Sequence, residues 1–157
     1  MSTKSSGGRP ATRWLAVEEE RAWRAYRRMV TAVQARTAQD LAEHGLSEAD
    51  YEVLSTLSEH PGNARPLHEQ AAKMEWSRSR LSRHATRMEA RGLLRREPDP
   101  ADGRGCILVL TEQGLETLGD VAPAHLASVR RHFIDRLAPD DLAALERIAA
   151  RLDAPAD

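Results

Sequence analysis

The sequence predicts a mainly α fold with one small β-hairpin set into it (α+β), and two observations carry that prediction. Over most of the chain apolar residues recur at spacings of three and four, the helical period. Only between Leu93 and Leu110 does the period change, where two short apolar runs flank Asp99-Pro100-Ala101-Asp102-Gly103-Arg104-Gly105, turn chemistry throughout. At 157 residues the chain has the size of a single domain with a modest core.

From Trp14 to His44 the pattern is helical. Trp23, Tyr26, Val30, Val33, Thr37 and Leu41 form a seam on a helix of about 30 residues, well beyond the usual ~11–12. A stripe that long exceeds what a small domain can bury, so it is expected to meet a second chain. Gly45 ends this helix. Leu46-Ser47-Glu48-Ala49-Asp50-Tyr51 opens the next, over 48–59, with a Ser N-cap, an acid at N3 and a Leu46/Tyr51 staple; Tyr51, Leu54 and Leu57 are its expected buried residues. Pro66 opens a short helix from Leu67 to Met74, with Leu67, Ala71 and Met74 inward. After a two-residue turn, Ser77 caps a helix running to Arg91, with Gly92 just beyond it. A short helix, a tight turn and a second helix with a polar outer face make a helix-turn-helix arrangement.

Leu93–Glu97 and Cys106–Leu110 are the hairpin strands, and the turn between them protrudes. Thr111 caps a further helix with Leu115, Leu118, Ala122, Leu126, Val129 and Phe133 on one face, and Pro123 is expected to bend or divide it. Leu137-Ala138-Pro139-Asp140-Asp141 starts the last helix, where Leu142, Leu145, Ile148, Ala149 and Leu152 are apolar.

The charge pattern of the fourth helix carries the chemistry. Ser77 to Arg96 holds seven arginines and a single acid, Glu89. Stepped at 100° per residue, Leu81, Ala85 and Met88 form a buried stripe, while Ser79, Arg83, Thr86 and Arg87 lie opposite, with Arg80, Ser82 and Arg91 at the edges. Arg83, Arg87 and Arg91 are spaced i, i+4, i+8, and like charges so placed destabilise an isolated helix by roughly 0.2–0.5 kcal/mol per pair. Glu89 has none of them at helical-neighbour spacing. Solvation is the ordinary fate of a mixed-sign helical face; a one-sign stripe instead calls for a polyanion. Removing the +6 of this segment from a net charge of −1 leaves −7, so the rest of the chain is mildly acidic and the basic element is local. Arg outnumbers Lys 21 to 2, a bias that base composition of the gene accounts for, so it does not argue for bidentate recognition.

Several classes are excluded. Cys106 is the only cysteine, which rules out an intrachain disulfide and a Cys-rich zinc site and fits a reducing cytoplasm. The six histidines show no ligand spacing, with His125 and His132 two helical turns apart, so no metal and no other cofactor is expected. No run approaches a membrane span, and the polar, Gly/Ser-rich tail 1–11 is neither signal nor anchor and is expected to be disordered. The chain has no Gly-rich phosphate loop, no G-x-S-x-G elbow and no Ser/His or Cys/His pairing, and Asp99 and Asp102 are expected in an exposed turn; it is not expected to be an enzyme.

Over about residues 12–153 the chain resembles MarR-family transcriptional regulators. The resemblance rests on Ser77 to Gly92 running into Leu93-Leu94-Arg95-Arg96, and on Asp99 to Gly105 followed by Leu110-Thr111-Glu112-Gln113-Gly114; Leu137 to Leu142 with Leu145 is similar to the family's last helix. It implies a winged helix-turn-helix with long N- and C-terminal dimerisation helices: a dimerisation helix over 12–45, a winged unit over 46–110, dimerisation helices over 111–153 and a tail over 154–157. It also implies a homodimer that binds a pseudo-palindromic operator in double-stranded DNA, most often as a repressor.

On that frame, Ser79, Arg80 and Arg83 are the expected base readers, Ser77, Arg78, Thr86 and Arg87 the expected phosphate contacts, and Arg91, farther along, a further backbone contact. Arg104 resembles the wing-tip arginine that enters the minor groove. Asp102 either orients that guanidinium by an ion pair or, with Gly103, merely makes a tight turn. His84, at the edge of the buried stripe, is expected to be packed rather than to touch DNA. Gln70 departs from the leucine common at its position, and either loosens packing there or hydrogen-bonds across the turn.

The family's ligand cleft would draw on Trp23, Tyr26, Arg27, Tyr51 and His60 for a small aromatic or phenolic effector, although each is equally suited to core or interface. A reactive cysteine in the first helix is absent. The alternative to a DNA-binding regulator is a non-enzymatic helical interaction module whose basic face meets an acidic protein.

Overall fold

Ser47, Ser77 and Thr111 start three helices by one device, a side-chain oxygen that accepts a free backbone N–H of the first turn, worth about 1 kcal/mol each. Ser47 accepts from Asp50 N at 3.0 Å while Asp50 Oδ2 accepts from Ser47 N at 2.9 Å, completing a capping box. Ser77 accepts from Arg80 N at 3.2 Å, and Thr111 from Gly114 N at 3.0 Å.

The computed structural model describes residues 12–153, so the tails 1–11 and 154–157 lie outside the described residues. The elements are α1 (Val17–Ala42), α2 (Glu48–Ser58), β1 (Ala64–Pro66), α3 (Leu67–Lys73), α4 (Arg78–Ala90), β2 (Leu94–Pro98), β3 (Cys106–Leu110), α5 (Glu112–His132) and α6 (Pro139–Asp153), with 3-10 turns at Pro61–Asn63 and Ile134–Arg136. This is the mainly helical winged fold with a small antiparallel sheet. At 26 residues, α1 starts three residues later than its apolar pattern.

Residues to Ala32 and from Val33 onward form two units. In the first, Trp23 and Tyr26 stack with centroids 5.7 Å apart and both remain exposed. In the second, Thr37 and Leu41 of α1 are buried, and Leu41 joins a core with Leu54, Leu57, Leu81, Met88, Leu94, Leu108 and Val121. Val53 and Asp50 of α2 are buried beside the expected Leu54 and Leu57, whereas Tyr51 is half-buried and packs against the core from its edge.

Three further expectations are corrected. The sheet has three strands in the order β1-β3-β2, both pairings antiparallel, with Ala64 opposite Val109 and Leu94 opposite Leu110. A three-residue strand ending in proline is too short to show a period of two. Pro123 does not divide α5, which runs unbroken to His132. α5 buries its leucine face only in part: Gly114, Val121 and Ser128 turn inward and Leu118 packs against the core, while Leu115 and Leu126 are exposed. Gly114 explains the rotation, because a Cβ there would lie 2.0 Å from the carbonyl oxygen of Leu93, so only glycine lets the helix start so close to β2. No residue of α6 is buried, and Leu142, Ile148 and Leu152 are exposed.

Candidate nucleic-acid interface

Between α3 and α4 the chain turns through Glu75 at φ 54, and Trp76 N donates to Ala71 O at 2.9 Å, which fixes the angle of the second helix. Gln70 is fully buried and hydrogen-bonds across this unit: its Nε2 donates to Thr56 Oγ1 at 2.5 Å and its Oε1 accepts from Arg65 at 3.2 Å. It therefore replaces an apolar contact with a bond from α3 to α2 and β1. α4 buries Leu81, His84, Ala85 and Met88 and leaves Ser77, Arg78, Ser79, Arg80, Arg83, Thr86 and Arg87 exposed.

The seven arginines of this region divide into two groups. Arg91 pairs with Asp50 at 2.8 Å, Arg95 with Glu97 at 2.7 Å and Arg96 with Glu89 at 2.9 Å. Arg78, Arg80, Arg83 and Arg87 have no acid within ion-pair distance among the described residues. The unpaired four are all exposed on α4. Arg78, Ser79 and Ser82 share a cleft of about 470 Å³ with Asp102 and Arg104 of the wing, and Arg80, Arg83 and Arg87 share one of about 320 Å³ with Trp76 and His84. Arg78 at the start of α4 thus shares a cleft with Arg104 of the wing, and the other three unpaired arginines line a second one.

The MarR family model matches residues 44–105, the span from the end of α1 into the wing. The crystal structure of AbsC, a MarR family transcriptional regulator from Streptomyces coelicolor, is 46% identical and superposes with a TM-score of 0.83 over 90% of this chain and 98% of that one. The chain belongs to the MarR family of transcriptional regulators. A second MarR regulator of S. coelicolor, Sco3205, solved in complex with DNA, is 34% identical with a TM-score of 0.85, covering 93% of this chain and 97% of that one. The transcriptional regulator HosA of Escherichia coli O111:H- is 34% identical over 99 residues, 61% of this chain and 69% of its own length.

In this MarR regulator the expected Asp102–Arg104 ion pair does not form. Asp102 Oδ1 instead accepts the backbone N–H of Arg104 at 3.0 Å, so the aspartate shapes the turn and leaves the guanidinium free. Asp99 is buried rather than exposed, and its Oδ1 accepts from Ala101 N at 2.9 Å at the base of the same turn. Arg91 is corrected too. It donates to Asp50 and, at 2.7 Å, to Gly45 O, which ties the end of α4 to the turn between α1 and α2. Thr86 Oγ1 donates to Ser82 O at 3.0 Å and accepts from Arg96 at 3.2 Å, so its hydroxyl is already engaged.

The five effector candidates are scattered across different surroundings. Trp23 and Tyr26 stack on each other and Arg27 is exposed beside them in the sequence. Tyr51 packs on His125 with ring centroids 4.1 Å apart, and burial raises its phenol pKa. His60 Nδ1 lies 3.3 Å from Pro61 O, beyond the end of α2. None lines either cleft beside α4.

Three residues of this region escaped the sequence reading. Asp50 is buried with its carboxylate between Ser47, Arg91 and His84, whose Nε2 lies 2.9 Å from Oδ1. Trp76 carries the Arg80 guanidinium 3.7 Å above its ring. Arg96 laces β2 to α4 through Glu89 and Ser82 O. A spacing of four from Trp76 to Arg80 and again to His84 was the available signal. Asp50 gave none, because an N3 acid reads as a cap alone.

Proposed function

We propose that this regulator acts as a cytoplasmic homodimer that binds a pseudo-palindromic operator in double-stranded DNA through α4 and the wing, as a repressor released by a small aromatic or phenolic effector. The observation that carries the reading is the sorting of the arginines: three are paired with the protein's own acids, and the four left over stay exposed on α4, Arg78 in a cleft with Arg104 and the other three in a second cleft. A major groove admits a helix of this width, and Arg can bind guanine O6 and N7 in bidentate fashion. We assign Ser79, Arg80 and Arg83 to base edges, Ser77, Arg78, Arg87 and, on exchanging its bond to Ser82 O, Thr86 to phosphates, and Arg104, placed by the Asp102 turn, to the minor groove. The DNA complex of Sco3205 supports DNA binding by likeness.

Dimerisation is supported by apolar side chains left in water: Trp23 and Tyr26 on α1, and Leu142, Ile148 and Leu152 on α6. Among the described residues no helix is long and apolar enough to cross a membrane. Trp23, Tyr26, Arg27, Tyr51 and His60 remain the proposed effector contacts.

Footprinting on the DNA flanking the gene tests the proposal. Two protected half-sites about one helical turn apart are expected, as a two-fold dimer requires. Uniform, sequence-independent coverage would overturn operator recognition, and binding to an acidic protein without binding to duplex would favour the interaction-module reading.

A further inference from the structure

We propose that Trp76 is a positioning residue for Arg80: the indole holds the guanidinium over the DNA-facing end of α4 in a preset orientation, and operator discrimination depends on that stack although Trp76 supplies no charge to DNA. The inference rests on the DNA-binding reading above.

Arg80 is the third residue of α4 and is exposed, where an arginine ordinarily samples many rotamers. Here its guanidinium carbon lies 3.7 Å from the centroid of the Trp76 ring. Such a contact attracts the cation to the ring face and occupies no hydrogen-bond acceptor. Among the described residues the Arg80 side chain donates to no protein acceptor, so the fork stays open. Burial raises the pKa of Glu52, and the charge of Arg80 offsets part of that rise without forming an ion pair with it.

Trp76 is itself held. Its backbone N–H bonds to Ala71 O at 2.9 Å. The His84 ring packs edge-on against the indole, centroids 5.7 Å apart and planes at 86°. His84 in turn sits 2.9 Å from the Asp50 carboxylate, which the Ser47 cap and Arg91 immobilise. A continuous series of contacts therefore runs from the buried cap of α2 through His84 and Trp76 to one exposed guanidinium. Arg78 and Arg83, with no acid at ion-pair distance and no ring face under the guanidinium among the described residues, have no such support. An arginine ordered before binding loses less rotamer freedom when it meets a base, and it misfits wrong bases more sharply.

The test is a double-mutant cycle on the full-length protein, with the footprinted duplex and a scrambled duplex of equal length as probes. Trp76→Leu is expected to weaken operator binding roughly three- to tenfold when Arg80 is present and less than twofold in an Arg80→Ala background, with scrambled-duplex binding nearly unchanged. Trp76→Phe, which keeps an aromatic face, should restore most of the loss. Equal losses in both backgrounds, or equal losses on both duplexes, would overturn the positioning role. If the wild type binds neither duplex, the DNA reading itself falls and the proposal with it. Should Trp76→Leu fail to fold, NMR of the wild-type arginine Nε–H groups decides: Arg80 should be ring-current shifted and more ordered than Arg78 and Arg83, and an Arg80 as mobile as those two would refute the stack.

Discussion

Arg91 donates to the buried carboxylate of Asp50 at 2.8 Å across 41 residues of chain, joining the last turn of α4 to the first turn of α2. An arginine that sequence spacing places on a DNA-facing stripe is thus part of the scaffold, and the carboxylate that holds it also caps α2 and faces His84.

Asp50→Ala should lower unfolding free energy by about 2–4 kcal/mol, because it removes a capping bond and leaves Ser47 N–H and Arg91 without their partner. Arg91→Ala should be milder, about 0.5–1 kcal/mol, since that side chain is 43% exposed and solvent screens the pair. Urea denaturation of the two variants measures both.

Acid should destabilise the protein in two separate windows. Burial, the largest cause, lowers the His84 pKa below its ordinary 6.5, against the pull of Asp50; His125 is lowered by burial likewise. The unfolded chain then binds protons that the folded one refuses, so stability is full above pH 6.5 and falls as pH drops from there toward the folded pKa. The carboxyl of Asp50 is depressed, and its contribution is lost only as pH falls below 3.8. Thermal melts between pH 8 and 5 are expected to show the first decline, and His84→Gln should flatten part of it.

Gly114→Ala should be among the most damaging single-methyl additions, costing about 3 kcal/mol or more, because the new Cβ would meet a backbone oxygen at 2.0 Å and α5 would have to move off β2. Gly119→Ala, with nothing within 4 Å, should be neutral or slightly stabilising, and a melting comparison of the two separates steric from propensity effects.

On DNA, Arg83→Ala should reduce discrimination between operator variants by ~1–3 kcal/mol. Arg104→Ala should weaken binding most where the flanking groove is A·T-rich. Arg91→Ala should leave operator affinity of the folded protein unchanged. Fluorescence-anisotropy titrations of operator variants compare all three, and equal weakening of every duplex by Arg83→Ala would make it a phosphate contact.

The helix order and the DNA-facing stripe of α4 were legible in the sequence because caps and apolar periods are local signals: Ser47, Ser77, Thr111, Gly45 and Gly92 all act where they stand. What was not legible depends on partners distant in the chain. The inward face of α5 is set by the carbonyl of Leu93, and its leucines mislead because hydrophobicity does not say what a face is buried against. The fate of each arginine is likewise decided by acids up to 41 residues away, and β1 exists only because β3 has a free edge.

The salt dependence of duplex binding tests the central claim most directly. A dimer in which Arg78 and Arg87 of each protomer meet phosphates should show log K falling against log salt with a slope of about −3.6 or steeper, at roughly −0.9 per phosphate neutralised, and removing Arg87 should lessen that slope. A slope near zero, or one unmoved by Arg87→Ala, would contradict the assignment of this face to DNA.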